Sequence, residues 1–266
     1  MCSSESDDWT HARRVEAAID APRVRALHRP DTQVIERPGW FQIVTPSARG
    51  YLNHISHSRV EAHDAERVID DELARYRRAG VTATWSVGSW TAPGDFGARL
   101  AARGFAATES VAMGMLVGPM STPARVTVEL VEHDAQIAAH MDLSVRGWSM
   151  PEDQRAPHEA MMRATLTKSP RLAFMYNALL DGEPVGTAAL VLRADYGYLM
   201  GGQVLEGARG KGVYRATVAA RLETCRALGV RYVVTHARAT TSAPILERIG
   251  FETLFRSEVY AIDPRA

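Results

Sequence analysis

The sequence predicts a mixed α/β chain of two similar lobes, each a mostly antiparallel sheet flanked by helices. Three observations lead there. Short apolar runs of strand length alternate with amphipathic helix-length segments. One order of elements occurs twice: helix, Gly-Val, strand, loop, helix, Gly-Phe, strand. Its markers are Gly80-Val81 with Gly104-Phe105, and Gly229-Val230 with Gly250-Phe251. A break at Gly118-Pro-Met-Ser-Thr-Pro123 then separates the copies, which gives domains 1–120 and 121–266. A helix closed by glycine before a strand recurs in many α/β chains. The shared order across so many elements points instead to duplication.

Taken in order, residues 7–21 read as a helix. Asp7 or Asp8 is placed to cap it, and Trp9, Val15, Ala18 and Ile19 face inward. Pro22 and Pro30 interrupt the chain, and 39–44 is a short strand ended by Pro46. Residues 63–79 form a helix with Ala65, Ile69, Leu73 and Tyr76 on one face. A strand to Val87, a helix ending near Leu100 and a strand over 110–117 complete the first copy. In the second, 126–131 is a strand, and 134–145 and 153–167 are helices. Strands 172–180 and 185–192 are joined by a hairpin turn at Asp181-Gly182. After the turn at 193–196 come a strand over 196–205, a helix over 215–228, a strand to His236, another helix and a strand over 257–262.

Composition narrows the class. With 46% apolar and 23% charged residues over 266 positions, the chain is an ordinary globular one. Lys plus Arg and Asp plus Glu are both 31, so no net field favours nucleic acid or an anionic membrane. No run approaches the roughly 20 apolar residues of a membrane span. The acidic start, Met1 to Asp8, lacks a secretory pattern, and Cys2 and Cys225 make no disulfide framework. A reducing, cytoplasmic setting is the expectation.

The chemistry concentrates in Val204 to Tyr214, where a strand enters a glycine-rich turn and then a helix. Tyr214, Val218, Leu222 and Cys225 make an apolar stripe on that helix, with Arg215, Arg221, Glu223 and Arg226 available for solvent. The turn presents N–H groups at the positive helix end, a favourable place for phosphate. Gly210 and Gly212 permit close backbone approach, and Arg209 and Lys211 add charge. No GxxxxGK[ST] or GxGxxG pattern occurs here. Taken alone, the turn is equally compatible with glycine serving geometry only.

Arg209-Gly-Lys-Gly-Val-Tyr214 resembles the acyl-CoA-binding motif of the GNAT N-acyltransferase superfamily, usually Arg/Gln-x-x-Gly-x-Gly/Ala. The hairpin and strand before it, the amphipathic helix, the strand to His236 and Ile249-Gly-Phe251 match as well. The resemblance covers about 126–262. The first copy resembles a degenerate GNAT unit. Val60 stands where the motif arginine belongs, and its surroundings contain no glycine. The resemblance implies an acetyl-CoA-dependent N-acetyltransferase, with acetyl-CoA or another acyl-CoA as co-substrate and no metal. The acceptor is a small-molecule or peptide amine; no nucleic acid or membrane partner is implied. It assigns pantetheine to Val204 and Leu205, with a backbone N–H near Val204 on the thioester carbonyl. It assigns the pyrophosphate to Arg209, Gly210, Lys211, Gly212, Val213 and Tyr214.

Two departures stand out. Tyr214 replaces a small motif residue, its side chain expected at the helix–sheet interface. Leu246 stands where many members carry a tyrosine as general acid. His236 and Tyr198 are the candidates to move protons in its place. The plainer reading, which the residue types favour, makes His236 a packing or capping residue and Tyr198 part of the core. Trp148-Ser-Met-Pro151 either shapes an acceptor pocket or plugs the core. Glu206 is expected in solvent and Cys225 buried and inert. His54, His57 and His63 lack the companions of a structural zinc site. Two rival readings follow from Leu246 and the degenerate copy: O-acyl transfer, or an acyl-CoA sensor without turnover.

Overall fold

In the computed structural model, residues 9–48 and 52–263 are described. The first stretch runs α1 (His11–Asp20), β1 (Gln33–Arg37), β2 (Trp40–Val44), β3 (His54–Ser58), α2 (Ala65–Ala79), β4 (Ala83–Val87), α3 (Phe96–Ala101) and β5 (Ala106–Leu116). Then follow β6 (Val126–Leu130), α4 (Asp134–Trp148), α5 (Arg155–Leu166), β7 (Ala173–Leu180), β8 (Glu183–Leu192) and β9 (Gly197–Val204). The last elements are α6 (Val213–Ala227), β10 (Tyr232–Arg238), α7 (Ala243–Arg248) and β11 (Glu252–Ile262). They make two compact units from interleaved segments. One comprises Met1–Leu27, Met113–His236 and Ile245–Leu254; the other comprises His28–Ala112, Ala237–Pro244 and Phe255–Ala266.

The unit built on residues 28–112 has its strands in the order β1-β2-β3-β4-β11. Only β3 and β4 run parallel, because α2 carries the chain across between them. Ala65, Ile69, Leu73 and Tyr76 are all buried, as their spacing requires, and pack with Trp40, Ile55, Trp85 and Phe96. Gly80 ends α2 in the left-handed region at φ 66°, where a side chain is costly. The core tryptophans are satisfied: Trp85 Nε1 donates to Ser58 Oγ at 2.9 Å, and Trp40 Nε1 to Gln42 Oε1 at 3.1 Å. Glu72 is buried on the same helix face, accepting from Gln42 Nε2 at 2.5 Å and Arg75 Nε at 3.0 Å.

In the unit built on residues 113–236 the strands follow the order β10-β9-β8-β7-β6. Here too one pair is parallel, β9 with β10, joined across α6. The same strand–helix–strand device thus occurs in both units. Helix α6 buries Val213, Ala216, Val218, Leu222 and Cys225, at roughly 1.5–3 kcal/mol for each large aliphatic side chain. Gly197 lets α6 approach, for a Cβ there would stand 2.8 Å from Cys225 Sγ. Helix α1 is capped by Thr10, whose hydroxyl accepts from Arg13 N at 3.3 Å. Asp7, Asp8 and Cys2 lie outside the described residues. Trp9 stacks on Tyr232 with centroids 4.5 Å apart, and Asp20 accepts from Arg193 Nη2 at 2.6 Å. These contacts hold the N-terminal helix in this unit.

Two strands escape the sequence reading. The strand β1 is mostly exposed and alternates little; β3, His-Ile-Ser-His-Ser, carries one aliphatic residue in five. Pairing on both sides makes β3 a strand despite its polar composition. The elements α4, β5 and β11 are each longer than their apolar runs, because exposed ends continue the pairing or the helix.

His140 on α4 is buried against Asn177, with Nδ1 2.9 Å from Asn177 Oδ1. Burial pushes its pKa down from 6.5 to about 4. The unfolded chain therefore binds this proton more tightly than the folded one. Stability conferred by neutral His140 is fully present above pH 6.5 and is lost as pH falls toward 4, by up to about 3 kcal/mol. Thermal unfolding of His140→Gln from pH 7 to 4.5 should show a shallower decline than the native chain. Parallel declines would remove His140 as the cause.

Candidate functional site

Strand β9 runs into a tight turn at 206–208, and the chain then swings through Arg209 to Gly212 before entering α6. Gly210 and Gly212 have φ of 75° and 80°, the left-handed region where glycine is favoured. This path aims the amides at the start of α6 outward. Ala216 N–H is the first to find a backbone acceptor, Gly212 O at 3.0 Å. Among the described residues the amides of Gly212, Val213, Tyr214 and Arg215 take none, and no side chain caps the helix. Four free donors at the positive end of a 15-residue helix are an arrangement that favours an anion. Arg209 and Lys211 are exposed beside it, with Arg209 Nε on Val204 O at 3.3 Å and Lys211 Nζ on Gly207 O at 3.0 Å. Glu206 is exposed.

Beside that turn, β9 and β10 part. Their pairing covers Gly197 to Leu199 against Val233 to Thr235 and stops. At the same level β9 carries one extra residue relative to β8: Thr187 pairs Gln203, and Ala189 pairs Met200. Gly201 takes φ 62°, as the first residue of such a bulge needs. From Met200 onward the β10 side of β9 is open backbone, which leaves a cleft leading to the amide-rich turn. Leu205 N–H donates to Val185 O at 2.8 Å, so its donor is already used.

Tyr198 and His236 lie next to the point where this pairing ends, ring centroids 5.8 Å apart and edge to face. Gly197 faces α6, so Tyr198, next in the strand, faces the opposite side of the sheet. Tyr198 is buried, and desolvation pushes its phenol up to about 12. His236 is half-buried. Leu246 is buried and presents no proton. Cys225 is buried, its thiol pushed up to about 12 by desolvation, so it is no nucleophile near neutrality. Trp148 is 47% exposed at the end of α4. Among the described residues, no group of three His, Cys, Asp or Glu is placed to hold a metal, and no helix is long and apolar enough to cross a membrane.

Residues 137–251 match the family model described as Acetyltransferase (GNAT) family. They form a GNAT domain. No curated protein matches the chain by sequence. Solved structures do match along nearly its whole length. A GCN5-related N-acetyltransferase from Kribbella flavida is 14% identical, with 96% of this chain and 95% of that one covered at TM-score 0.64. A tandem GNAT protein from the clavulanic acid biosynthesis pathway is 16% identical, with coverage of 98% and 96% and TM-score 0.58. A protein of unknown function from Staphylococcus epidermidis ATCC 12228 is 11% identical, with coverage of 89% and 96% and TM-score 0.68. The chain has the fold of a tandem GNAT protein.

The GNAT domain holds one surprise. Arg221, read from sequence as a solvent-side residue, is 2% exposed. It lies seven positions after Tyr214, on the apolar stripe itself, and that spacing was the available signal. Tyr214 does turn into the helix–sheet interface, its ring over Gly202. In the other unit, Asp64 stands at the N-cap of α2, with Glu61 nearby. Carboxylates at a helix N-terminus repel phosphate.

Proposed function

We propose that the chain is an N-acetyltransferase that carries an acetyl group from acetyl-CoA directly to an amine. Its site lies in residues 121–266, and residues 1–120 are a degenerate copy without a CoA site. One observation carries this reading: the free amides of Gly212 to Arg215 and the cleft beside bulged β9 adjoin in the GNAT domain. An anion-binding end joined to open strand backbone suits a pyrophosphate followed by an amide-bearing pantetheine arm. The fit is to the chain's own donors, not to the motif alone.

Acetyl-CoA supplies an activated thioester. The chain does the rest. The amides at the start of α6, with Arg209, Gly210 and Lys211, hold the pyrophosphate, and Val204 and Leu205 border the arm. A backbone donor of β9 polarises the thioester carbonyl. The neutral amine attacks the carbonyl carbon, the C–S bond breaks, and the sulfur leaves with the electron pair. His236 accepts the amine's proton through water, and Tyr198, neutral at physiological pH, is the proton donor nearest the cleft. A thiol of ordinary pKa, about 8.5, leaves tolerably without much help, which explains how Leu246 is compatible with turnover. The acceptor is a small-molecule or peptide amine, and the setting is the cytoplasm.

Incubation with acetyl-CoA and a panel of amines, read by release of free thiol, tests this. The expected result is amine-dependent thiol release together with CoA binding by calorimetry. Binding without thiol release from any amine would identify a sensor, and release with alcohols alone would identify an O-acyltransferase.

A further inference from the structure

Arg221 is a fully buried guanidinium, and none of the ion pairs among the described residues includes it. Burying such a charge without a carboxylate is costly unless its donors are used. They are used, mostly on backbone. Nε donates to Thr217 O at 2.8 Å, Nη1 to Ala189 O at 3.3 Å and to Met200 O at 3.4 Å, and Nη2 to Thr217 Oγ1 at 3.4 Å. Ala189 and Met200 are the paired residues at the bulge of β9. A bulge disrupts the ladder and leaves carbonyls short of partners, and one nitrogen of Arg221 reaches both. Tyr214 joins the arrangement. Its ring stands close to the guanidinium, for a Cβ at Gly202 would lie 2.9 Å from the Tyr214 ring and 3.7 Å from Arg221 Nη2. Gly202 is the open backbone of the cleft. Tyr214 is also the second residue of α6, within the amide-rich turn.

We infer that Arg221 and Tyr214 are positioning residues that fix the bulged backbone of β9 at Met200 to Gly202, and so set where the thioester carbonyl is received. The pair ties the phosphate end of the site to the acyl end. The inference rests on the acyl-CoA reading above. It also accounts for the large residue at a motif position that is usually small: the tyrosine supplies the ring over Gly202.

The test uses the full chain and three variants, Tyr214→Phe, Arg221→Lys and Arg221→Met. Amide hydrogen exchange is read with no ligand, and CoA and acetyl-CoA are titrated separately by calorimetry. In Arg221→Met, exchange over residues 199–204 should rise at least tenfold, while β7 and the middle of α6 change less than threefold. Arg221→Lys and Tyr214→Phe should fall between. CoA affinity should stay within threefold, because the amides of Gly212 to Arg215 remain. In the amine that turns over best, kcat should drop at least tenfold with the KM for acetyl-CoA within threefold. Uniform exchange across the unit, or equal loss of CoA and acetyl-CoA binding with no kcat change, would overturn the inference and make Arg221 a core residue only. If Arg221→Met does not fold, Arg221→Lys, which keeps the charge and loses the fork that reaches both Ala189 O and Met200 O, carries the decision alone. Failure of the native chain to bind CoA would sink the acyl-CoA reading instead, and the exchange result would still report on the bulge.

Discussion

Replacing Gly210 with Asp should weaken CoA binding at least tenfold, about 1.4 kcal/mol, while leaving the chain folded. The carboxylate would enter the turn that leads to the free amides of α6, where a second anion is repelled. The position suits the test because nothing lies within 4 Å of a Cβ built on Gly210. Its φ of 75° costs a side chain about 1–2 kcal/mol, and Asp tolerates that region better than most residues. Gly212, the more obvious choice from sequence, is a poor one. A Cβ there would stand 2.5 Å from Pro123 Cγ, at φ 80°, so a lost affinity would be confounded with damage to the fold. Calorimetric titration with CoA, beside a thermal melt, decides the matter. Unchanged affinity in a folded Gly210→Asp chain would remove the turn from the site.

Removing the imidazole should have the other large effect. His236→Ala is expected to lower kcat at least about tenfold, the cautious end of the 10²–10⁴ range for a general acid or base. CoA binding should be unaffected, since His236 sits on β10 and not in the turn. The pH–rate profile should lose its acidic limb, because a base that must be neutral to act supports more turnover as pH rises. Tyr198→Phe separates the two roles. Its phenol, pushed up to about 12, titrates outside the working range, so its loss should lower kcat without moving the acidic limb. Full activity of His236→Ala with an unaltered profile would make the histidine a packing residue, and the proton path would then run through Tyr198 or ordered water.

Much of the fold was legible because its helices bury one clean stripe each. Ala65, Ile69, Leu73 and Tyr76 on α2 came out buried to the last residue. The hairpin at Asp181-Gly182 was equally plain, and both residues take positive φ. The turn before α6 could be read from two glycines in front of an amphipathic helix, and both take positive φ. What sequence hid were features that depend on neighbours. Strand β3 is polar and exists by pairing on both sides. The bulge at Gly201 depends on register against β8, which no local pattern encodes. Arg221 was misread because a charged residue is nearly always exposed, although its place on the Tyr214 stripe argued otherwise. The cleft itself arises where pairing of β9 with β10 ends, a long-range fact.

The interleaving of segments bears on the order in which the chain can fold as it is made. Strand β4, residues 83–87, pairs with residues 258–262 of β11. That edge of its sheet stays without its final partner until residues 258–262 have been made. A ribosome adding about 5–20 residues each second leaves that edge waiting for roughly ten seconds or more, an interval in which an unpaired edge invites wrong pairing. The strand bears Thr84 and Ser86 between apolar neighbours, so one of its faces is polar while it waits. Emergence of residues 258–262, rather than of the first 120 residues, is therefore the event that closes this sheet.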